Sequence, residues 1–344
     1  MKNNQRVNIK SEVGKLKTVI LHKPGSEVEN MTPESAKRAL YSDILNLDVA
    51  LKEYEQFKGV LDKVTNTFEV KDLLGDILKD EKIKNSLLED IFASEYVFEE
   101  SVLIRSLTAG ELAKQLIEGV PLRKDNLTKF LSKEKYSLPP LHNFFFTRDA
   151  SMAIFDKILI GEMMKEHKVN RHIIIQELPR TPESFIHLDM TFTFLDRDYC
   201  MVYEPLILKP NKYQTVHITI ENGNVTTIRN ENNIIDSLKK LGMDLKPVYC
   251  GGRNNQWIQE REQWHSGANF FAFAPGKVIG YGRNVYTIEE MNNNGFEVIR
   301  AKDIIRGKTN PYDYEKCVVT IEGSELARGG GGARCMTMPV WRDD

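Results

Sequence analysis

The sequence predicts an α/β fold of repeated β-α-β modules with an inserted helical subdomain. Three observations carry this expectation. Short apolar runs bounded by turn residues fill residues 139–344; "GKVIGYGRNVYTIEEMNNNGFEVIRA" reads as strand, helix and strand; residues 72–138 turn lysine- and glutamate-rich with helical periodicity. The expected boundaries are 1–71 and 139–344 for the α/β unit and 72–138 for the insertion, which runs up to Pro139-Pro140.

Taken in order, "KTVILHKPG" is a strand closed by Pro24-Gly25. One long helix is expected from Pro33 to about Val64, because Leu40, Ile44, Leu47, Leu51 and Tyr54 recur at three and four and Thr32 precedes Pro33 as an N-cap. "LLGDILKDEKIKNSLLEDIF" and "GELAKQLIEGV" continue as helices. Strands are then expected at "NFFFT", "MAIFDKILIG", "RHIIIQEL", "MTFTFLD", "YCMVYEPLIL", "TVHITI" and "TTIRN", the last two joined through Asn222-Gly223-Asn224. "DKILIGEMMKEHKVNRHIIIQE" reads as a further strand, helix and strand.

Composition excludes several classes of function. The chain has 344 residues, 41% hydrophobic and 28% charged, as expected of a soluble globular protein. Its 47 basic and 49 acidic side chains nearly cancel, leaving no global field to attract nucleic acid or an anionic membrane. No run approaches the roughly 20 apolar residues of a membrane-spanning helix. "MKNNQRVNIK" lacks the apolar core of a signal peptide, so the cytoplasm is the expected address. Cys200, Cys250, Cys317 and Cys335 are widely spaced without a CxxC, so neither a disulfide framework nor a metal site is expected.

Cys335 stands apart in "SELARGGGGARCMTMP". Gly329 to Gly332 let the backbone turn sharply and aim N–H groups at one point, while Arg328 and Arg334 add positive charge, so an activated thiol of lowered pKa is expected. Cys200, Cys250 and Cys317 lie in strand-like runs and are expected in the core. A cysteine nucleophile needs a proton carrier. "FIHLDMTFTFLD" places His187 and Asp189 two apart at the head of an extended run, predicting that both project from one face of a strand. The other histidines sit where surface or hydrogen-bonded roles are expected. In "HNFFFTRDAS", Asn143, Arg148 and Asp149 flank three phenylalanines, and Asp149 is either a strand-end carboxylate or a buried partner for a cation. A thiolate attacks carbon, a histidine delivers a proton, and two carboxylates grip a planar cation. These are the groups needed to remove ammonia from a guanidinium.

Five stretches, "SEVGKLKTVILHKPG", "NFFFTRDAS", "FIHLDMTFTFLD", "EREQWHSGANFFAFAPGKVIGYGRNVYTIEEM" and "EGSELARGGGGARCMTMPVWRDD", resemble in order those of the bacterial arginine deiminases. These are guanidino-modifying enzymes of the pentein α/β-propeller fold. The resemblance implies that Cys335 is the nucleophile that forms a covalent amidino adduct and His187 the general acid and base. It implies that Asp149 and Asp189 hold the guanidinium and that Asn143 helps bind the substrate's α-carboxylate. L-Arginine is the implied substrate, L-citrulline and ammonia the products, with no metal or organic cofactor and a possible homo-oligomer. The helical stretch at 72–138 resembles the subdomain that sets arginine deiminases apart from the smaller dimethylargininases.

One departure runs through the whole comparison. Between the "FTRD" and "HLD" motifs the family carries a catalytic glutamate in an E-G-G-D motif, together with arginines that bind the substrate carboxylate. Here 38 positions separate Asp149 from His187, and no EGGD occurs in the chain. The gap falls near residues 158–168. An in-register loss of one β-α-β module is therefore expected, leaving about four modules instead of five. Arg171, Glu177 and Arg180 lie in the connection that remains. Two outcomes follow: a working arginine deiminase, or a catalytically impaired scaffold that binds arginine or oligomerises without turnover. An amidinotransferase or agmatine deiminase fits less well, given the helical insertion and the "CMTMP" ending.

Overall fold

The computed structural model describes residues 7–95, 97, 100–154, 157–160 and 171–343. Strand β1 (Lys15–Leu21) is followed by the short helices α1 (Ser26–Glu29) and α2 (Pro33–Arg38), the long helix α3 (Leu47–Val64) and strand β2 (Asn66–Glu69). β1 pairs in parallel with β2 and antiparallel with the chain's last strand, Met338–Asp343. The single helix expected from Pro33 to Val64 is thus two. Thr32 and Ser35 form a capping box at α2, Leu40 then takes a left-handed φ of 60°, and Asn46 caps α3 by accepting from the Val49 N–H at 3.2 Å. Local caps and one left-handed residue override an apolar periodicity that runs through the break.

The stretch expected to be an insertion carries α4 (Val70–Ile77), α5 (Glu81–Glu95), α6 (Ser101–Ser106), α7 (Ala109–Glu118), β3 (Val120–Pro121), α8 (Leu127–Leu131) and β4 (Tyr136–Leu138), with α4 beginning two residues before the expected boundary at 72. It buries Leu78, Leu88, Phe92, Ile104, Leu112 and Leu116 in a hydrophobic cluster of its own.

Next come α9 (Thr147–Ala150), β5 (Ser151–Ile154) and β6 (Lys157–Ile160), the two strands forming an antiparallel pair. "NFFFT" is a turn and not a strand: the N–H groups of Phe144 and Phe146 bond back to the carbonyls of Leu141 and Asn143 at 3.0 Å each. The helix expected in "MMKEHK" and the strand end at Gly161 lie outside the described residues. Strand β7 (Arg171–Gln176) pairs antiparallel with a later strand, Thr215–Glu221, and not with β6. Both strands expected in this stretch are therefore present, but they do not pair with each other: β6 pairs with β5, and β7 finds its backbone partner in another sheet.

The chain continues through β8 (Phe192–Phe194), β9 (Tyr199–Val202), α10 (Glu204–Ile207), β10 (Thr215–Glu221), β11 (Asn224–Glu231), α11 (Ile234–Lys240) and β12 (Lys246–Tyr249). Asn222 and Gly223 both have positive φ, 53° and 80°, which gives the β10–β11 hairpin its expected tight turn. Last are α12 (Gln256–Trp264), β13 (Phe271–Ala274), β14 (Lys277–Tyr281), α13 (Val285–Asn293), β15 (Glu297–Arg300), α14 (Ala301–Ile305), β16 (Cys317–Ile321) and β17 (Met338–Asp343).

One pattern repeats in three sheets: an antiparallel pair, then a parallel strand reached through helix. It is seen in β17-β1-β2, in β8-β9-β12 and in β13-β14-β16, the last with β15 added at its edge. Among the described residues β5–β6 and, in the helical stretch, β3–β4 are antiparallel pairs without a third strand, and β7-β10-β11 is an all-antiparallel sheet. The fold is therefore the expected α/β assembly, in which three sheets show the ββαβ pattern among the described residues. The largest core packs Tyr54, Phe57 and Leu61 of α3 against Phe271, Ile279 and Val319. Each such side chain contributes about 1.5–3 kcal/mol by leaving water. Cys335 and Met336 belong to this core, so the thiol is held by the largest hydrophobic cluster.

Candidate active site

The loop that carries Cys335 is anchored from below by α3. Glu53 is buried and accepts backbone N–H groups of Ser324, Glu325 and Leu326 at 2.7, 3.0 and 2.9 Å. Gly330 then turns the chain with φ 81°. Gly331 lies so close under Phe146 that a Cβ there would come within 2.5 Å of the ring, and its carbonyl accepts from the Tyr281 hydroxyl at 3.1 Å. The run of glycines is thus needed for close approach as well as for the turn.

Cys335 emerges 2% exposed. Asn269 donates Nδ2 to Sγ at 3.2 Å and accepts the Arg334 N–H on Oδ1 at 2.9 Å. The sulfur lies 3.6 Å from Oδ2 of Asp189, and Arg334 Nη1 donates to that same oxygen at 2.8 Å. Oδ1 of Asp189 is buried with no hydrogen-bond partner among the described residues. Arg334 also pairs with Glu12 at 3.1 Å, and Arg148 pairs with Glu12 at 3.3 Å while giving its backbone N–H to the Cys335 carbonyl at 3.1 Å. Burial alone would raise the Glu12 carboxyl, yet the guanidiniums of Arg334, Arg148 and Arg342 hold it well below the usual carboxylate range. Asp149 follows Arg148, and its Oδ1 lies 3.6 Å from Nδ1 of His187. Burial, with help from Asp189, pushes Asp149 up to about 6 against the opposing charges of His187, Arg148 and Arg334.

Of the sequence-predicted residues, Cys335 and Asp189 are in contact, His187 and Asp149 form a pair, and Asp149 and Asp189 both act on the thiol electrostatically. Asn143 is exposed, donates Nδ2 to the Ala39 carbonyl at 2.9 Å, and lines a cavity of about 420 Å³ with Arg38 and Asp149. Glu177 is engaged with the Gln214 N–H beside β7, and neither it nor Arg171 bonds to the thiol, Asp149 or Asp189 among the described residues. Cys200, Cys250 and Cys317 are fully buried, as expected of core residues.

Two expectations are corrected. His187 and Asp189 do not share a strand face: Leu188–Met190 is a 3₁₀ turn, closed when Met190 and Thr191 bond back to His187 and Leu188. The turn buries Asp189 and leaves the His187 side chain 44% exposed, so the two groups approach the site from different directions. The thiol is also not activated in the free site. Burial pushes it well above its ordinary range, Asp189 and Asp149 add to this, and the Gly332 backbone and Arg334 offset only part. Arg328 gives no help, being paired with Asp43 and Glu325.

The sequence reading did not single out Glu12 or Asn269. Asn269 carried a usable signal, as a polar residue inside the apolar run "GANFFAFA" that must find partners when buried. Glu12 carried none, since its partner Arg334 is 322 positions away. Among the described residues no group of three or more His, Cys, Asp or Glu side chains could hold a metal ion, and no helix is long and apolar enough to cross a membrane.

A family model described as arginine deiminase matches residues 168–342, just over half of the chain. The chain belongs to the arginine deiminase family. It is 27% identical to the arginine deiminase of Mycoplasma capricolum subsp. capricolum, an alignment covering 99% of this chain and 98% of that one. It is 28% identical to the arginine deiminase of Listeria monocytogenes serotype 4b, with both chains covered in full. The first alignment is 420 positions long against a chain of 344, so at least 76 positions have no residue from this chain. Among solved structures, an inosamine-phosphate amidinotransferase from Streptomyces griseus overlaps 46% of this chain and 33% of its own, at 16% identity and a TM-score of 0.25. The N-terminal domain of an arginine dihydrolase from cyanobacteria overlaps 48% of this chain and 41% of its own, at 15% identity and a TM-score of 0.24. Within the arginine deiminase family this chain is a shortened member.

Proposed function

We propose that the protein hydrolyses L-arginine to L-citrulline and ammonia in the cytoplasm, through a covalent amidino intermediate on Cys335. The observation that carries the reading is the unpartnered Oδ1 of Asp189, an acceptor buried beside a thiol. A buried carboxylate oxygen without a donor is costly, and a guanidinium N–H supplies the missing bond. Asp149 offers the second carboxylate, and Asn143 reaches the same cavity as Asp149, where it helps hold the substrate carboxylate.

The raised thiol follows from the same arrangement. A bound guanidinium brings positive charge against Asp189 and Asp149, relieving the two carboxylates that disfavour the thiolate. The thiolate then adds to the guanidinium carbon. One nitrogen takes a proton from His187 and leaves as ammonia, so the C–N bond breaks as the C–S bond persists. Water adds to that carbon, giving its proton back to His187, and breaking the C–S bond releases the ureido product and the thiolate. His187 is half-exposed and its Nε2 makes no hydrogen bond among the described residues, which leaves it free to exchange that proton. In this reading residues 72–138 are a subdomain inserted into a catalytic unit of 1–71 and 139–344.

A second reading is favoured by the absent E-G-G-D. A lost charge-assisted hydrogen bond to the guanidinium costs about 1.5–3 kcal/mol, and catalytic groups that act as a unit lose more than their share when one is missing. That reading is of a scaffold that binds arginine, or assembles, without turnover. Citrulline formation by the purified protein, run beside Cys335→Ala, separates the two. Cysteine-dependent product supports the enzyme, and saturable arginine binding without product supports the scaffold.

A further inference from the structure

We infer that Arg38 holds the carboxylate of the substrate and selects a free amino acid over a decarboxylated amine; this rests on the deiminase reading above. The cavity that reaches Asp149 has charge at only a few points on its wall. Asp149 supplies a carboxylate, and Arg38, at the end of α2, supplies the guanidinium. His142 also lines the cavity, but its ring is engaged with the Glu27 carbonyl. Most of the remaining wall is apolar, with Pro140, Leu141, Phe144 and Phe146. A ligand with a cation at one end, a methylene stem and an anion at the other matches that set of surfaces. Arginine is such a molecule.

Arg38 is exposed and makes no ion pair among the described residues, so its charge is not already neutralised. Its backbone is placed deliberately. Asn143 donates to the carbonyl of Ala39, the Tyr41 hydroxyl donates to the carbonyl of His142 at 2.7 Å, and Leu40 between them carries the left-handed φ of 60°. A non-glycine residue in that region is strained, and such strain persists where surrounding contacts fix a functional geometry. Here it bends the chain so that the end of α2 closes over the 141–144 turn. The planar guanidinium suits a carboxylate in a two-pronged hydrogen bond.

The test compares L-arginine with agmatine, which lacks the carboxylate, in the full chain and in Arg38→Gln, Arg38→Lys and Lys37→Gln. The expected result in Arg38→Gln is a KM for L-arginine raised on the order of 10- to 100-fold at similar kcat, with the preference for L-arginine over agmatine collapsing toward unity. Arg38→Lys recovers part of the preference and Lys37→Gln keeps all of it. If the parent binds arginine without turnover, the same ratios are read as Kd values by calorimetry. An unchanged preference in Arg38→Gln overturns the assignment of Arg38 while leaving the deiminase reading intact, as does an equal loss for both ligands. A parent that neither turns over nor binds L-arginine overturns the deiminase reading, and this inference with it.

Discussion

Arg334 donates to Oδ2 of Asp189 at 2.8 Å, and the Cys335 thiol faces that same oxygen from 3.6 Å. An internal guanidinium therefore already occupies one oxygen of the carboxylate, and the other has no hydrogen-bond partner among the described residues. The pair has opposite effects on the sulfur: Asp189 disfavours the thiolate and Arg334 favours it.

Asp189→Asn is expected to separate binding from thiol ionisation. Turnover of L-arginine falls by at least about 100-fold in kcat/KM, because the substrate loses a charge-assisted partner and its alignment with the sulfur. Alkylation of Cys335 by iodoacetamide becomes faster at pH 8, because the larger of the two carboxylate charges opposing the thiolate is gone. A variant in which both rates fall together indicates a disturbed fold instead.

Asp149 gives the site its pH dependence. Its carboxyl is raised to about 6, with burial as the first cause, so under the proposed mechanism kcat/KM is expected to fall as pH drops below about 6 and the anion proposed to grip the guanidinium is lost. The stability effect has the opposite sense. Between about pH 4 and 6 the native state keeps a proton that the unfolded chain has released, so stability declines as pH rises through that window. Asp149→Asn should then unfold at a higher temperature than the parent at pH 7 and at nearly the same temperature at pH 4. Thermal melts at the two values decide it.

Glu12 is a structural counterion. It faces Arg334 and Arg148 directly and also acts on Arg342, whose guanidinium is buried over the Phe271 ring. The Glu12 side chain is 30% exposed while that of Arg148 is only 8% exposed, so removing the Glu12 charge leaves largely buried guanidiniums partly uncompensated, at a cost of about 1–3 kcal/mol. Urea unfolding of Glu12→Gln should show a loss of that order with an unchanged slope. A loss below about 1 kcal/mol would mean that water already reaches these arginines.

How far the sequence reveals this site depends on whether the cause is local. β1, the β10–β11 hairpin and the glycine loop are legible, because an apolar run, Asn222-Gly223 and consecutive glycines act within a few residues. Cys335, His187, Asp149 and Asp189 are legible through motif resemblance and chemistry. The strand face assumed for His187 and Asp189 is not, because the short bonds of a 3₁₀ turn replace the alternation before β8 begins. The thiol's raised pKa is likewise hidden, since it comes from burial by α3 and from carboxylates far away in the chain. The helix break at Leu40 was masked by an apolar period of three and four that continues across it. The fate of β7 was masked in the same way: its isoleucines announce a strand, but choosing β10 over β6 is a matter of tertiary partner.

The most direct measurement is intact-mass analysis of the protein quenched during reaction with L-arginine, with citrulline assayed in the same samples. The expected result is an amidino adduct on Cys335 that accumulates and decays with citrulline formation and is absent from Cys335→Ala. Neither adduct nor citrulline from folded protein that binds arginine would contradict the covalent mechanism and leave a binding scaffold in its place.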